Sequence, residues 1–482
     1  MQLTYPVYGK QQTLNFQPMS SVIGISPAAA RSASTGAGAK AASRFASSVA
    51  AVKKEMSHLH DAWNDIHESD TRYALVNHGT TLIIATDSMT LEGATKAEMK
   101  HLRDKFGFEL IREGQQGKVM LRAPATNKDA MQLVQSAIDE MQKRGKVTAV
   151  NPNFIRSTQK PRPVSASQPL WNHDNSGSPG VPGADVAALA AWTLTKGHKD
   201  IRVAVLDEGV DSNHPALKQV IVAEKDFVDG NSHARPDADD AHGTACAGII
   251  CSQDSNYPGL APECSIVAVR IAKGDGDGHW IFDDFNTADA IDWSWKEGKA
   301  DVLSNSWGGG PEVDTITNAI QRARTKGRAR KGSVVVFAAG NSNRTVHYPG
   351  SLPDVLTVGA SNQWDERKTP TSKDDETTWG SCFGDSLDLL APGVKIATTD
   401  ISGSQGYSGS NFTLTFNGTS SATPHVAAAA ALILSLMPKL NETRVREIIT
   451  STCDALHPSG QWHKNFGYGR LNIYAALRRA RR

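Results

Sequence analysis

Ile201 to Asp207 reads IRVAVLD, a nearly unbroken apolar run that ends on a carboxylate. Three later segments repeat the pattern: SIVAVRI (Ser265–Ile271), DVLSNSWG (Asp301–Gly308) and SVVVFAAGN (Ser333–Asn341). An exposed strand alternates apolar and polar residues, whereas a strand covered on both faces does not, as in buried parallel sheets. Helix-like stretches separate and follow these runs: HGTACAGIICS, FNTADAIDWSWKEG, DTITNAIQRARTKG and SSATPHVAAAAALILSLM. The alternation predicts an α/β domain built on a doubly wound, mostly parallel sheet, with ligands at the carboxyl ends of the strands.

Four polar residues stand in Gly-bearing turns at such ends. They are Asp207 in VAVLDEGVD, His242 in HGTACAG, Asn341 in VVVFAAGN and Ser420 in NGTSSATPHVA. Nucleophilic acyl transfer needs this set: a hydroxyl, a base, a carboxylate to fix the base's tautomer, and a donor for the oxyanion. Taken singly, each has a plainer reading. Asp207 could open a turn, His242 could be a capped core histidine, and Asn341 could fill a loop position of positive φ. The plainer readings lose ground together, because four ordered motifs supply every part of one chemistry. Ser421 competes with Ser420 as nucleophile.

The Asp…His…Asn…Ser order and the Gly-Thr-Ser-x-x-x-Pro-His run resemble the subtilisin-like serine peptidases, over roughly residues 165–482. The resemblance implies Asp207, His242 and Ser420 as the triad, Asn341 as oxyanion donor, and peptide-bond hydrolysis through an acyl-enzyme. Ser306, Trp307 and Gly308 of SWGGG resemble the substrate-pairing strand and one pocket wall. His347 of RTVHYPG stands where the family has a small residue flooring the primary pocket. With Arg344 nearby, it points to acidic or small polar P1 side chains. Glu208 departs from the usual Ser or Thr after the triad Asp and places a second carboxylate beside it. Cys246 lies one helical turn beyond His242 and reads as a buried core residue. A transpeptidase or macrocyclase on the same scaffold, and a catalytically silent binding protein, are the rival readings.

Residues 80–156 alternate differently: strand TLIIAT, helix TKAEMKHLRDKFG, strand KVMLRA, helix NKDAMQLVQSAIDEMQKRG and strand KVTAVNPNF. This resembles the small α+β propeptide that precedes many such catalytic domains, which implies an inhibitor and folding chaperone in cis. Upstream, residues 1–79 form an extension. Residues 1–26 show short apolar alternations without a clear element, and an Ala/Ser-rich stretch follows. Phe45, Val49, Val52, Met56, Leu59, Trp63 and Ile66 then form a heptad stripe, either packed on the protein's own surface or offered to a helical partner. A Pro- and Ser-rich linker covers 157–175, and the catalytic domain 176–482.

The 482 residues carry a net charge of +1, which argues against nucleic-acid or membrane partners. The balance conceals an asymmetry. Through Arg162 there are 21 Lys+Arg against 14 Asp+Glu (+7), leaving 30 against 36 (−6) of the totals 51 and 50. Opposite charge favours docking of the two parts. Five scattered cysteines do not make a disulfide framework. SSVIGISPAAARSA is a poor imitation of a signal peptide, so a cytoplasmic protein is expected. The chemistry needs no cofactor or catalytic metal. The loop DGDGHWIFDD (Asp275, Asp277, Asp283, Asp284) has oxygens suited to structural calcium but fails the EF-hand pattern.

Overall fold

The computed structural model describes residues 2–7, 10–18, 73–77, 81–124, 130–159, 170–274 and 279–482. The heptad stripe and Asp275 and Asp277 lie outside them. The chain divides into two compact units. One comprises Met1–Lys160, Gly274–Asp289 and Gly310–Ala319; the other comprises Pro161–Lys273, Ala290–Gly309 and Ile320–Arg482.

The larger unit is built on a seven-stranded sheet. From edge to edge its strands are Ile221–Asp226, Ser265–Arg270, Arg202–Asp207, Val302–Asn305, Val334–Ala338, Leu356–Ser361 and Leu389–Pro392. Every pairing is parallel. The first strand in sequence sits inside the sheet, with later strands added on both sides, so the order reverses there. Ligand sites of open α/β sheets form at such a reversal, beyond the carboxyl ends. Asp207 is the last residue of the strand at the reversal, Ser306 follows the next strand, and Asn341 stands three residues past Ala338.

The helix Thr419–Leu436 lies against the middle strands. Its run Ala427–Ala431 is fully buried, and small side chains let a helix approach a sheet closely. This helix has the length and apolarity of a membrane span, yet 89% of it is buried within the fold, as expected of a core helix.

The smaller unit is an antiparallel sheet with two helices, Lys96–Phe106 and Ala130–Arg144, where the sequence places them. Strand Thr81–Glu92 pairs along its length with Ala149–Gln159 and also with Tyr73–Asn77 and Lys118–Arg122. Two features go beyond the sequence reading. Residues 2–15 form a hairpin, Gln2–Val7 on Lys10–Asn15, that buries Leu3, Tyr5 and Val7 on one face. Tyr5 and Phe16 both pack on Phe154, at centroid distances of 5.8 and 6.1 Å. The unit also takes in residues far along the chain: strand His279–Asp283 pairs with Ala149–Gln159. Arg156, 1% exposed, clamps Asp284 at 2.5 and 3.0 Å and donates to Pro311 O at 3.0 Å.

Candidate active site

Backbone placement comes first. At Gly243 a Cβ would lie 2.1 Å from Gly209 O and 2.9 Å from Asp207 Cβ, so only glycine lets the helix His242–Cys251 start against the end of the Asp207 strand. His242 Nδ1 then lies 2.9 and 3.0 Å from the two Asp207 oxygens. That contact fixes the proton on Nδ1 and leaves Nε2 as the basic atom. The imidazole is fully buried. Phe416 covers it edge-on at 5.2 Å, and Tyr407 packs behind Phe416 at 5.6 Å.

Glu208 adds a contact the sequence suggested only as nearby charge. Its Oε1 accepts the backbone N–H of His242 at 2.7 Å, so this carboxylate satisfies the first N–H of the histidine's helix. Asp207 Oδ1 accepts the Glu208 N–H at 2.9 Å. Cys246 Sγ lies 3.8 Å from His242 Nδ1 and 3.6 Å from Ser420 O. Burial pushes its thiol well above the usual range, and the Asp207 charge pushes it further, so it stays protonated and is no nucleophile. Asp207, His242 and Cys246 do hold three donor atoms within 4.8 Å of one another.

Ser420 is the second residue of the long helix, which starts just after Gly418, whose φ of +111° suits only glycine. Its Oγ donates to Ser306 O at 3.2 Å, and Ser306 Oγ donates to Ser420 O at 2.8 Å. The neighbouring Ser421 hydroxyl is turned back on Gly418 O at 2.9 Å, which separates the two serine candidates. Asn341 Oδ1 accepts from Thr419 N at 2.8 Å and Thr419 Oγ1 at 3.0 Å, so its Nδ2 must face the other way. A Cβ built on Gly418 would sit 3.3 Å from that Nδ2 and 3.5 Å from Ser420 N. Two N–H donors therefore converge on a point that glycine alone leaves open. Thr419, which orients the amide and also accepts from Gly340 N at 3.1 Å, was missed in sequence although it adjoins Ser420.

The specificity residues separate. Gly309 N donates to Tyr348 O at 2.7 Å, so the SWGGG and RTVHYPG segments meet. Trp307 is buried edge-on against Phe337 at 5.1 Å, which makes its ring part of the core. His347 sits over Gly340, where a Cβ would lie 2.8 Å from its Nδ1. Its Nε2 lies 2.9 Å from Ser342 Oγ and 3.8 Å from Cys382 Sγ. Burial lowers its pKa and Arg344 lowers it further, so the ring is neutral near pH 7. In the acidic loop, Asp284 is already neutralised by Arg156, and Asp283 Oδ1 accepts the Asn286 N–H at 2.7 Å.

The profile of the subtilase family, peptidase family S8, matches residues 198–469, and the chain belongs to that family. It is 34% identical to thermitase of Thermoactinomyces vulgaris over 297 residues, 61% of this chain and 93% of that protein. It is 30% identical to subtilisin E of Bacillus subtilis over 369 residues, 75% and 83% of the two chains. A calcium-dependent protease of Nostoc is 34% identical over 324 residues, and there the match spans 47% of the relative's length. A thermophilic serine proteinase of Bacillus is matched over 64% of its length. In fold, the chain resembles fervidolysin of Fervidobacterium pennivorans with a TM-score of 0.63, at 23% identity, over 84% of this chain and 62% of that one.

Proposed function

We propose that the protein is a serine endopeptidase. The observation that carries this reading is the convergence of Asn341 Nδ2 and Ser420 N beside a hydroxyl, with an Asp-fixed imidazole in the same cluster. Ser420 Oγ would turn from Ser306 O, give its proton to His242 Nε2 and attack the scissile carbonyl. The carbonyl oxygen takes the negative charge and lies between Asn341 Nδ2 and Ser420 N. Asp207 holds the imidazolium, which returns the proton to the leaving amine. Water then repeats the sequence on the acyl-enzyme and releases the acid. A serine-directed fluorophosphonate should label the wild type and not Ser420→Ala, and peptides should be cut only by the wild type. No labelling would leave the silent-protein reading. Products joined to an added amine would instead make the enzyme a transpeptidase.

Residues through about Arg162 would restrain this activity. The reading rests on the α+β pattern of 81–159 and on the charge asymmetry. Inhibition by the separated fragment should weaken with salt, because exposed charges are screened. For specificity, a half-buried, neutral His347 supplies a donor and removes volume, which favours small polar or acidic P1 groups. A P1-varied library with wild type and His347→Gly tests this. A preference for large apolar or Lys/Arg residues, unchanged by the substitution, would overturn it. Calcium, suggested by the name of the Nostoc relative, would have to rest on Asp275, Asp277 and Asp283, and a chelator-induced drop in Tm would reveal it.

A further inference from the structure

We infer that Lys368, an internal ammonium remote in sequence from every motif, is a positioning residue for the oxyanion side of the site; this rests on the peptidase reading. Lys368 and Asp374 are both fully buried. The Lys368 Nζ donates to Thr369 O and Glu376 O, each at 2.5 Å, and to Ser372 Oγ at 3.3 Å. It lies 3.0 Å from Asp374 Oδ1 and 5.2 Å from the Trp379 ring centre. Residues 369–376, TPTSKDDE, contain no apolar side chain larger than proline, so they have no hydrophobic core of their own to fold around. They fold around a cation instead. A charge with four oxygens and a π face about it is well compensated, and removing it leaves the buried Asp374, still hydrogen-bonded by Asn362, Ser372 and the Glu376 N–H, without its counter-charge.

The caged loop reaches the site by two routes. Glu376 Oε1 accepts from Asn417 Nδ2 at 3.1 Å, and Oε2 accepts from Trp379 Nε1 at 2.7 Å. Asn417 precedes Gly418, and its Oδ1 accepts the Lys395 N–H at 2.6 Å while Lys395 Nζ donates to Asp374 O at 2.9 Å. On the other side, Gly380 N donates to Asn341 O at 3.3 Å and Gly380 O accepts from Asn343 N at 2.8 Å. Ser381 N returns to Lys368 O at 2.9 Å, and Cys382 N donates to Gly340 O at 2.8 Å. The two backbone segments that present the converging donors, 340–343 and 417–420, therefore hang from one loop whose shape Lys368 sets. An oxyanion donor acts in the transition state, and a displacement of about 1 Å can cost on the order of 10²-fold in rate.

The test compares wild type, Lys368→Met, Glu376→Gln and the double variant Lys368→Met/Asp374→Asn, with kcat expressed per fluorophosphonate-titrated site. The double variant carries no unpaired buried carboxylate, so it keeps the test open should Lys368→Met fail to fold. Glu376→Gln leaves the ammonium caged but offers one oxygen where Asn417 and Trp379 need two. Expected is a fall in kcat per titrated site of roughly 10- to 100-fold for the Lys368 variants, and a smaller fall for Glu376→Gln, with KM within about twofold. A purely structural lysine would lower Tm and the titrated fraction and leave kcat per site unchanged. That outcome in both Lys368 variants overturns the inference. A wild type that neither titrates nor turns over would defeat the peptidase reading itself, which is a distinguishable result.

Discussion

The two sides of the site are held by different contacts, with charge touching one directly and the other only through a loop. On the base side, Asp207 faces the imidazole and Glu208 faces the first N–H of its helix, so two buried carboxylates hold the group that would become positive in the proposed reaction. On the oxyanion side Asn341 Oδ1 is held by the neutral backbone and hydroxyl of Thr419, and charge acts one layer back, where the Glu376 carboxylate accepts from Asn417 and the Lys368 ammonium holds the loop that carries Glu376. On the peptidase reading the contacts on each side are in place before reaction, which is how a buried site would avoid reorganising.

Breaking the base or nucleophile should have the largest effect. Ser420→Ala, His242→Ala and Asp207→Ala should each cost about 10⁴–10⁶ in kcat, and double variants should be little worse, because these residues act as a unit. Near-normal turnover in Ser420→Ala with loss in Ser421→Ala would move the nucleophile. Next, the buried, protonated Cys246, whose sulfur lies against His242 Nδ1, should react with a mercurial only as slowly as the site opens, and that slow reaction should inactivate by displacing the ring. Cys246→Ala should remain active and resist the reagent; inactivation at the wild-type rate would place the reaction elsewhere. On the oxyanion side, Asn341→Ala should lower kcat by about 10²–10³, the range for such a donor in a subtilisin, with KM little changed.

A smaller effect should come from Glu208. Glu208→Ala leaves the His242 N–H without its acceptor and should cost about tenfold, on the scale of a lost helix cap of ~1 kcal/mol. Glu208→Gln keeps an oxygen in place and should recover most of it; equal loss in both would show that charge, not the hydrogen bond, matters there. Least affected in turnover, but altered in acid stability, should be His425→Gln. In wild type Nδ1 donates to Ser421 O at 2.8 Å, leaving Nε2 to accept from Asn172 at 2.9 Å, which is the pattern of a neutral ring. Burial lowers its pKa to about 4. The unfolded chain therefore binds a proton below about pH 6.5 that the native protein refuses, so stability is lost as pH falls from there toward 4, by roughly 3 kcal/mol. Thermal melts across that range should be flatter in the variant.

What the sequence discloses follows from how local each signal is. Four sheet strands are unmistakable because they are apolar throughout. Ile221–Asp226 escapes notice because it is an edge strand with Glu224 and Lys225 on it, Leu356–Ser361 because Thr357, Gly359 and Ser361 break up its apolar residues, and Leu389–Pro392 because its short apolar run stops at a proline. The chemical residues are legible because each lies in a short motif with its own glycine. The Lys368 cage is not, since TPTSKDDETTWG reads as a polar loop until its backbone oxygens are seen around one nitrogen. The N-terminal hairpin shows its alternation in sequence, but a lone hairpin is marginal in water and needs a surface to bury that face. Pairing of His279–Asp283 with Ala149–Gln159 leaves no local mark at all.

The hydroxyl of Tyr5 donates to Glu312 O at 3.0 Å, across 307 residues of chain. During synthesis at about 5–20 residues per second, the first strand waits on the order of 15–60 s before that carbonyl exists. The unit containing the N-terminus therefore cannot close in the order it is made. Its last seams form only after residue 319 has left the ribosome, and until then Leu3, Tyr5 and Val7 lack part of their final surroundings. Truncations ending before Gly274 should leave the sheet that holds Ala149–Gln159 without its outer strand, and protease-sensitive there, however intact residues 81–159 are in sequence.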